Sequence, residues 1–124
     1  MFEIKYNYET HDGKDVIFRE LTGEITILII IESFQFLISQ KKISKQCVGI
    51  ITDTTNAKMN VKISELKEIY NYLRKSPELQ NIKLAIIVNT PGKTILPMTA
   101  MRTFTNIRIQ PFSGQKAAIK WILR

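Results

Sequence analysis

Apolar and polar positions alternate from the first residues, with Phe2, Ile4, Tyr6 and Tyr8 set against Glu3, Lys5, Asn7 and Glu9. This period of two predicts a half-buried β-strand. A second strand, Asp15 to Leu21, is predicted to fold back on it across His11-Asp12-Gly13-Lys14, because Asp-Gly supplies the positive φ that tight hairpins require. The run Ile25 to Ile31 is β-branched enough to mimic a strand, yet it continues without a turn through Glu32 to Gln40 and ends on Lys41-Lys42. A helix from Ile27 to Lys42, capped by the Thr26 hydroxyl, accounts for the whole segment. Its first two turns are apolar nearly all round, which predicts burial on more than one side, in the core or under a second subunit.

Gln46 to Asp53 is almost continuously apolar and reads as a central strand that Asp53 ends. Residues 63, 66, 69, 70 and 73 then repeat at helical spacing up to Arg74-Lys75, and Pro77 stops the helix. Lys83 to Val88 is a second buried strand. Pro97 belongs near the start of a helix, so the third helix is expected to begin close to Leu96 and to end at Phe104. A short alternating strand, Asn106 to Gln110, precedes a last helix capped by Ser113 whose stripe is Ala117, Ala118, Trp121 and Ile122. The sum is an α/β fold: a mixed sheet of about five strands, opening with an antiparallel hairpin, with about four crossover helices.

At 124 residues the chain is expected to form a single domain, 1–124, with a self-sufficient core. Its one cysteine, Cys47, lies beside Val48 to Ile51, so it reads as a buried thiol in a reducing compartment. The N-terminus lacks a signal-peptide pattern, and Ile25 to Ile38 is shorter than the roughly 20 residues that span a bilayer. A soluble, cytoplasmic protein with no transmembrane segment is expected. The net charge of +7 is uneven: all eleven acidic residues lie at or before Glu78, and beyond it stand only cations, from Lys83 to Arg124. Such asymmetry attracts nucleic acid, anionic lipid or an acidic partner. These cations are spaced singly and form no clustered Arg/Lys run with interleaved aromatics, which fits a solvated surface and provides no specific nucleic-acid motif.

Candidate chemistry is sparse. The lone His11 sits beside a turn with no second histidine and no cysteine pair, so no metal site, catalytic residue or cofactor is expected. Asp53, Thr54, Thr55 and Asn56 form the polar cluster expected at the carboxyl end of a central strand, where open α/β sheets bind ligands. The alternative reading of Asp53 is that it only bonds loop amides in an Asx-turn. Asn89 to Thr94 contains Gly-Lys-Thr, but a phosphate-binding loop would need glycine where Ile87 stands. Met98, Met101 and Phe104 are suited to an apolar ligand, with Lys93 and Arg102 holding a small apolar anion by its charged head.

Taken with this order of elements, Gly23-Glu24-Ile25-Thr26, Ile50-Ile51-Thr52-Asp53, Lys83 to Val88, Met101-Arg102-Thr103-Phe104 and Ala117 to Ile122 bring a family into view. The chain resembles the STAS domain, the fold of anti-sigma-factor antagonists, and more closely a divergent bacterial STAS-like group. The resemblance covers nearly the whole chain and implies non-enzymatic regulation through a protein partner, often switched by phosphorylating a serine at the start of the second crossover helix. The matching position is Ser64, within Lys62-Ile63-Ser64-Glu65-Leu66 where the family carries Asp-Ser-Ser-Gly-Leu. Ser64 is read either as that phosphosite or as a helix cap. Two functions follow: a regulatory or protein-interaction domain, with a homodimer seam along Ile27 to Phe36, or a small-molecule or lipid-binding domain with an apolar pocket and a basic rim.

Overall fold

The computed structural model describes residues 1–124. Strands β1 (Phe2–His11) and β2 (Lys14–Thr26) pair antiparallel across Asp12 and Gly13, both at positive φ (52° and 77°), the backbone that a two-residue hairpin turn demands. Helix α1 (Ile27–Ser39) follows directly, and Thr26 Oγ1 accepts the Ile29 N–H as its cap. The remaining elements are β3 (Cys47–Asn60), α2 (Leu66–Lys75, entered through a 3₁₀ turn at Ile63–Glu65), β4 (Lys83–Ile87), α3 (Pro91–Thr103), β5 (Ile109–Phe112) and α4 (Gln115–Leu123). The five strands lie in chain order, β1-β2-β3-β4-β5, parallel from β2 onward. The expected mixed sheet with four helices is therefore present.

Strand alternation explains the layers. Ile17, Ile50 and Leu84 point to the face covered by α1 and α2, where they pack with Phe34, Leu37 and Leu73. Their neighbours Val16, Ile51 and Ala85 point the other way and pack under Ala118 and Ile122 of α4. Both faces are thus dry, which is why β3 and β4 read as continuous apolar runs. Gly49 lets α4 approach: a Cβ there would lie 2.5 Å from Ile122 Cγ2. No helix is long and apolar enough to cross a membrane.

Several boundaries differ from expectation, each for a physical reason. Helix α1 ends at Ser39 instead of Lys42 because Lys41 takes a left-handed conformation (φ 55°), with its N–H bonded to Ile38 O and that of Lys42 to Leu37 O. That is a Schellman stop without the usual glycine. Asp53 does not end β3: beyond a register shift, Thr22–Thr26 of β2 pair with Asn56–Asn60 and carry the strand seven residues further. Helix α3 begins at Pro91, not Leu96, capped by Thr90 Oγ1, and it tolerates Pro97 in its interior at the loss of the bond to the Lys93 carbonyl. Strand β5 runs three residues later than the alternation predicted; its position at the sheet edge accommodates Pro111. Gly114, rather than Ser113, occupies the cap position of α4.

Candidate functional site

Between the sheet and helices α1, α2 and α3 lies a cavity of about 100 Å³, partly open to solvent. Nineteen of its 24 lining residues are hydrophobic, among them Ile25 at the end of β2, Ile29 in the first turn of α1, Leu66 and Tyr70 of α2, Leu96 in the middle of α3 and Phe104 at its C-terminal end. The Tyr70 and Phe104 rings stack at 4.3 Å between centroids and join α2 to the end of α3. The polar members of the lining are Arg19, Ser33, Thr52 and Thr54.

Arg19 is the unusual one. It occupies an inward position of β2, between Ile17 and Leu21, and is only 4% exposed. Its Nε donates to Thr52 Oγ1 at 2.7 Å and its Nη1 to Ser33 Oγ at 3.0 Å, while its guanidinium carbon lies 4.2 Å from the centre of the Phe34 ring. Ser33 Oγ is shared with the Tyr6 hydroxyl at 2.7 Å. Both acceptors on Arg19 are neutral hydroxyls, and no carboxylate oxygen lies within 4 Å of its nitrogens. Burial lowers its pKa to about 10, so the group stays a cation at neutral pH. Sequence reasoning missed Arg19. The signal was there, since the alternation that places Ile17 and Leu21 inward places the cation between them inward too.

The expected polar cluster is divided. As residues of a strand, Asp53 and Thr54 face opposite sides: Thr54 lines the cavity and donates to Ile87 O at 2.8 Å, whereas Asp53 lines a shallow basin on the α4 side with Lys5 and Gln115. Asp53 Oδ1 accepts the Thr55 N–H at 2.9 Å, the local bond of an Asx-turn, here set in a strand. Thr55 and Asn56 are exposed. The Lys93 ammonium reaches back from α3 to Thr54 O (2.8 Å), Asn89 Oδ1 (3.0 Å) and Thr55 O (3.1 Å), and so covers the edge of β3 where β4 has ended.

Arg102 is exposed, and of Met98, Met101 and Phe104 only Phe104 lines the cavity. Ser64 is exposed in the 3₁₀ turn before α2 and makes no capping bond; that turn is closed instead by Glu65 Oε1, which accepts the Lys62 N–H at 2.8 Å. His11 Nε2 lies 3.0 Å from Glu9 Oε1 at the hairpin end. No three of the His, Cys, Asp and Glu side chains gather into a metal-binding group.

Neither a protein-family model nor a curated protein matches this sequence. Solved structures do match it. An uncharacterized protein of the DUF3478 family with a SpoIIAA-like fold, from Shewanella loihica, superimposes with a TM-score of 0.68 at 15% identity, over 98% of this chain and 95% of that one. The fold is STAS-like. An anti-sigma factor antagonist from Mycobacterium paratuberculosis matches with a TM-score of 0.56 at 13% identity over 98% of this chain and 96% of its own. The anti-sigma factor antagonist SpoIIAA in its unphosphorylated form matches at 0.53 and 15% identity, over 96% and 98%. The likeness spans each of these STAS-like chains end to end.

Proposed function

We propose that this STAS-like chain is a non-enzymatic regulatory domain that works by binding another protein in bacterial signalling. The observation that supports this is the end-to-end likeness to two anti-sigma factor antagonists. The contact surface in this reading is the end of the sheet where α2 and α3 begin. There Ile63 and Ile95 are 56% and 54% exposed, with Ser64, Thr55, Asn56 and the basic Lys93 at the same end, whereas Arg102 stands in the last turn of α3. Apolar side chains inside a polar border are the usual anatomy of a transient interface. Phosphorylating Ser64 would place about two negative charges beside Ile63 and change which partner fits. The test is affinity capture from the source cells with the wild-type chain, Ile63→Asp and Ser64→Glu. A protein retained by the wild type and lost with Ile63→Asp supports the reading, and identical recoveries with all three chains refute it.

The homodimer seam is proposed on a smaller scale, since the outer side of α1 exposes Leu28 and Phe36 as its large apolar residues. Light scattering of wild type against Leu28→Glu decides it. A second reading, a binding domain for a small apolar molecule, is favoured by the cavity itself, whose lining is predominantly apolar.

A further inference from the structure

We infer that the cavity takes an apolar monoanion whose carboxylate is held by Arg19. This rests on the second reading above and names the chemistry of its ligand. A guanidinium has five N–H donors in a planar fork. Here Thr52 and Ser33 engage Nε and Nη1, and Nη2 donates to no protein atom. Nη2 is not a sealed orphan either, since no buried side-chain nitrogen or oxygen lacks both a partner and access, and the contacts to Ser33 and Phe34 put the guanidinium on the side of the sheet where Arg19 lines this cavity. Ser33, Thr52 and Phe34 hold the guanidinium in place, while its positive charge meets no carboxylate of the protein. A planar anion accepting from Nη1 and Nη2 would complete the fork.

The rest of the lining sets the ligand's body. With Arg19, Ser33, Thr52 and Thr54 as its only polar lining, the cavity accepts an apolar tail and excludes a second charge. One cation matches one negative charge, which favours a carboxylate over a dianionic phosphate. The cavity is partly open to solvent, which leaves the tail a way outward.

The experiment is calorimetric titration of the whole chain with octanoate, 1-octanol and octyl phosphate, repeated on Arg19→Met. Octanoate is expected to bind about tenfold or more tightly than octanol, the difference a charge-assisted bond supplies, and Arg19→Met is expected to erase that preference while still binding octanol. Equal binding of acid and alcohol by the wild type overturns the role of Arg19 and leaves the apolar pocket standing. Failure of all three ligands to bind overturns the pocket reading as well, and tighter binding of octyl phosphate overturns the choice of a carboxylate. The wild-type comparison decides the matter even where Arg19→Met does not fold.

Discussion

Replacing Arg19 by methionine removes a buried charge while keeping a long, unbranched side chain. Desolvation lowers the arginine pKa from its ordinary value to about 10. At 1.36 kcal/mol per unit, burial therefore disfavours the charged form by about 3 kcal/mol relative to the neutral one. Against that gain stand the loss of the donor to Thr52 Oγ1, about 1 kcal/mol, and of the stacking on Phe34, up to about 2 kcal/mol when desolvated. Ser33 keeps its bond to Tyr6. The terms cancel to within about 1 kcal/mol, so Arg19→Met is expected to unfold in urea at nearly the wild-type midpoint at pH 7. Arg19→Ala, which also opens a void, is expected to be less stable than Arg19→Met by about 2 kcal/mol or more.

The pH dependence has a definite sign. Below about pH 10 both the folded and the unfolded chain hold the Arg19 proton, and the penalty is constant. Above about pH 10, up to the ordinary pKa of arginine, the unfolded chain holds more protons, so wild-type stability rises with pH relative to Arg19→Met. A loss of more than about 3 kcal/mol for Arg19→Met at neutral pH would refute the reasoning, because it would make the charge a net stabiliser with no anion of its own to account for it.

Gly49→Ala forces Ile122, itself 2% exposed, to move from a Cβ 2.5 Å away, and is expected to lower stability by about 1–3 kcal/mol in urea titration; an unchanged midpoint would mean that α4 docks loosely. The Asp15 carboxylate accepts the hydroxyls of Ser44 and Thr10, which hold its pKa below the ordinary 3.8. The stability these bonds add is present above that pH and lost as pH falls through the depressed value, so Asp15→Asn is expected to flatten the acid limb of a stability profile. Burial pushes the Cys47 thiol up, so Ellman's reagent is expected to label it only as the protein unfolds; immediate full labelling of the native protein would contradict its place under α1.

The order of elements was legible because each long segment carries one clear period: two in β1, helical spacing in α2, unbroken apolar runs in β3 and β4. What escaped depended on partners distant in sequence. Nothing local in Asn56 to Asn60 marks a strand; those residues are strand because Thr22 to Thr26 lie alongside them. Lys41 ends α1 in a conformation that its residue type does not advertise. The same held for chemistry. Asp53 and Thr54 are adjacent in sequence, and the pleat sends them to opposite faces, whereas Arg19, Ser33 and Thr52 come together from three elements. Phe104 reached the expected apolar site, and Arg102 two residues earlier remained outside.

Because the strands join the sheet in chain order and α4 is the last element, one side of the sheet has no helical cover until Gln115 to Leu123 has been made. During synthesis Val16, Ile51, Ala85 and Ile87 therefore face water, or another nascent copy, for as long as the final segment remains in the ribosome's exit tunnel.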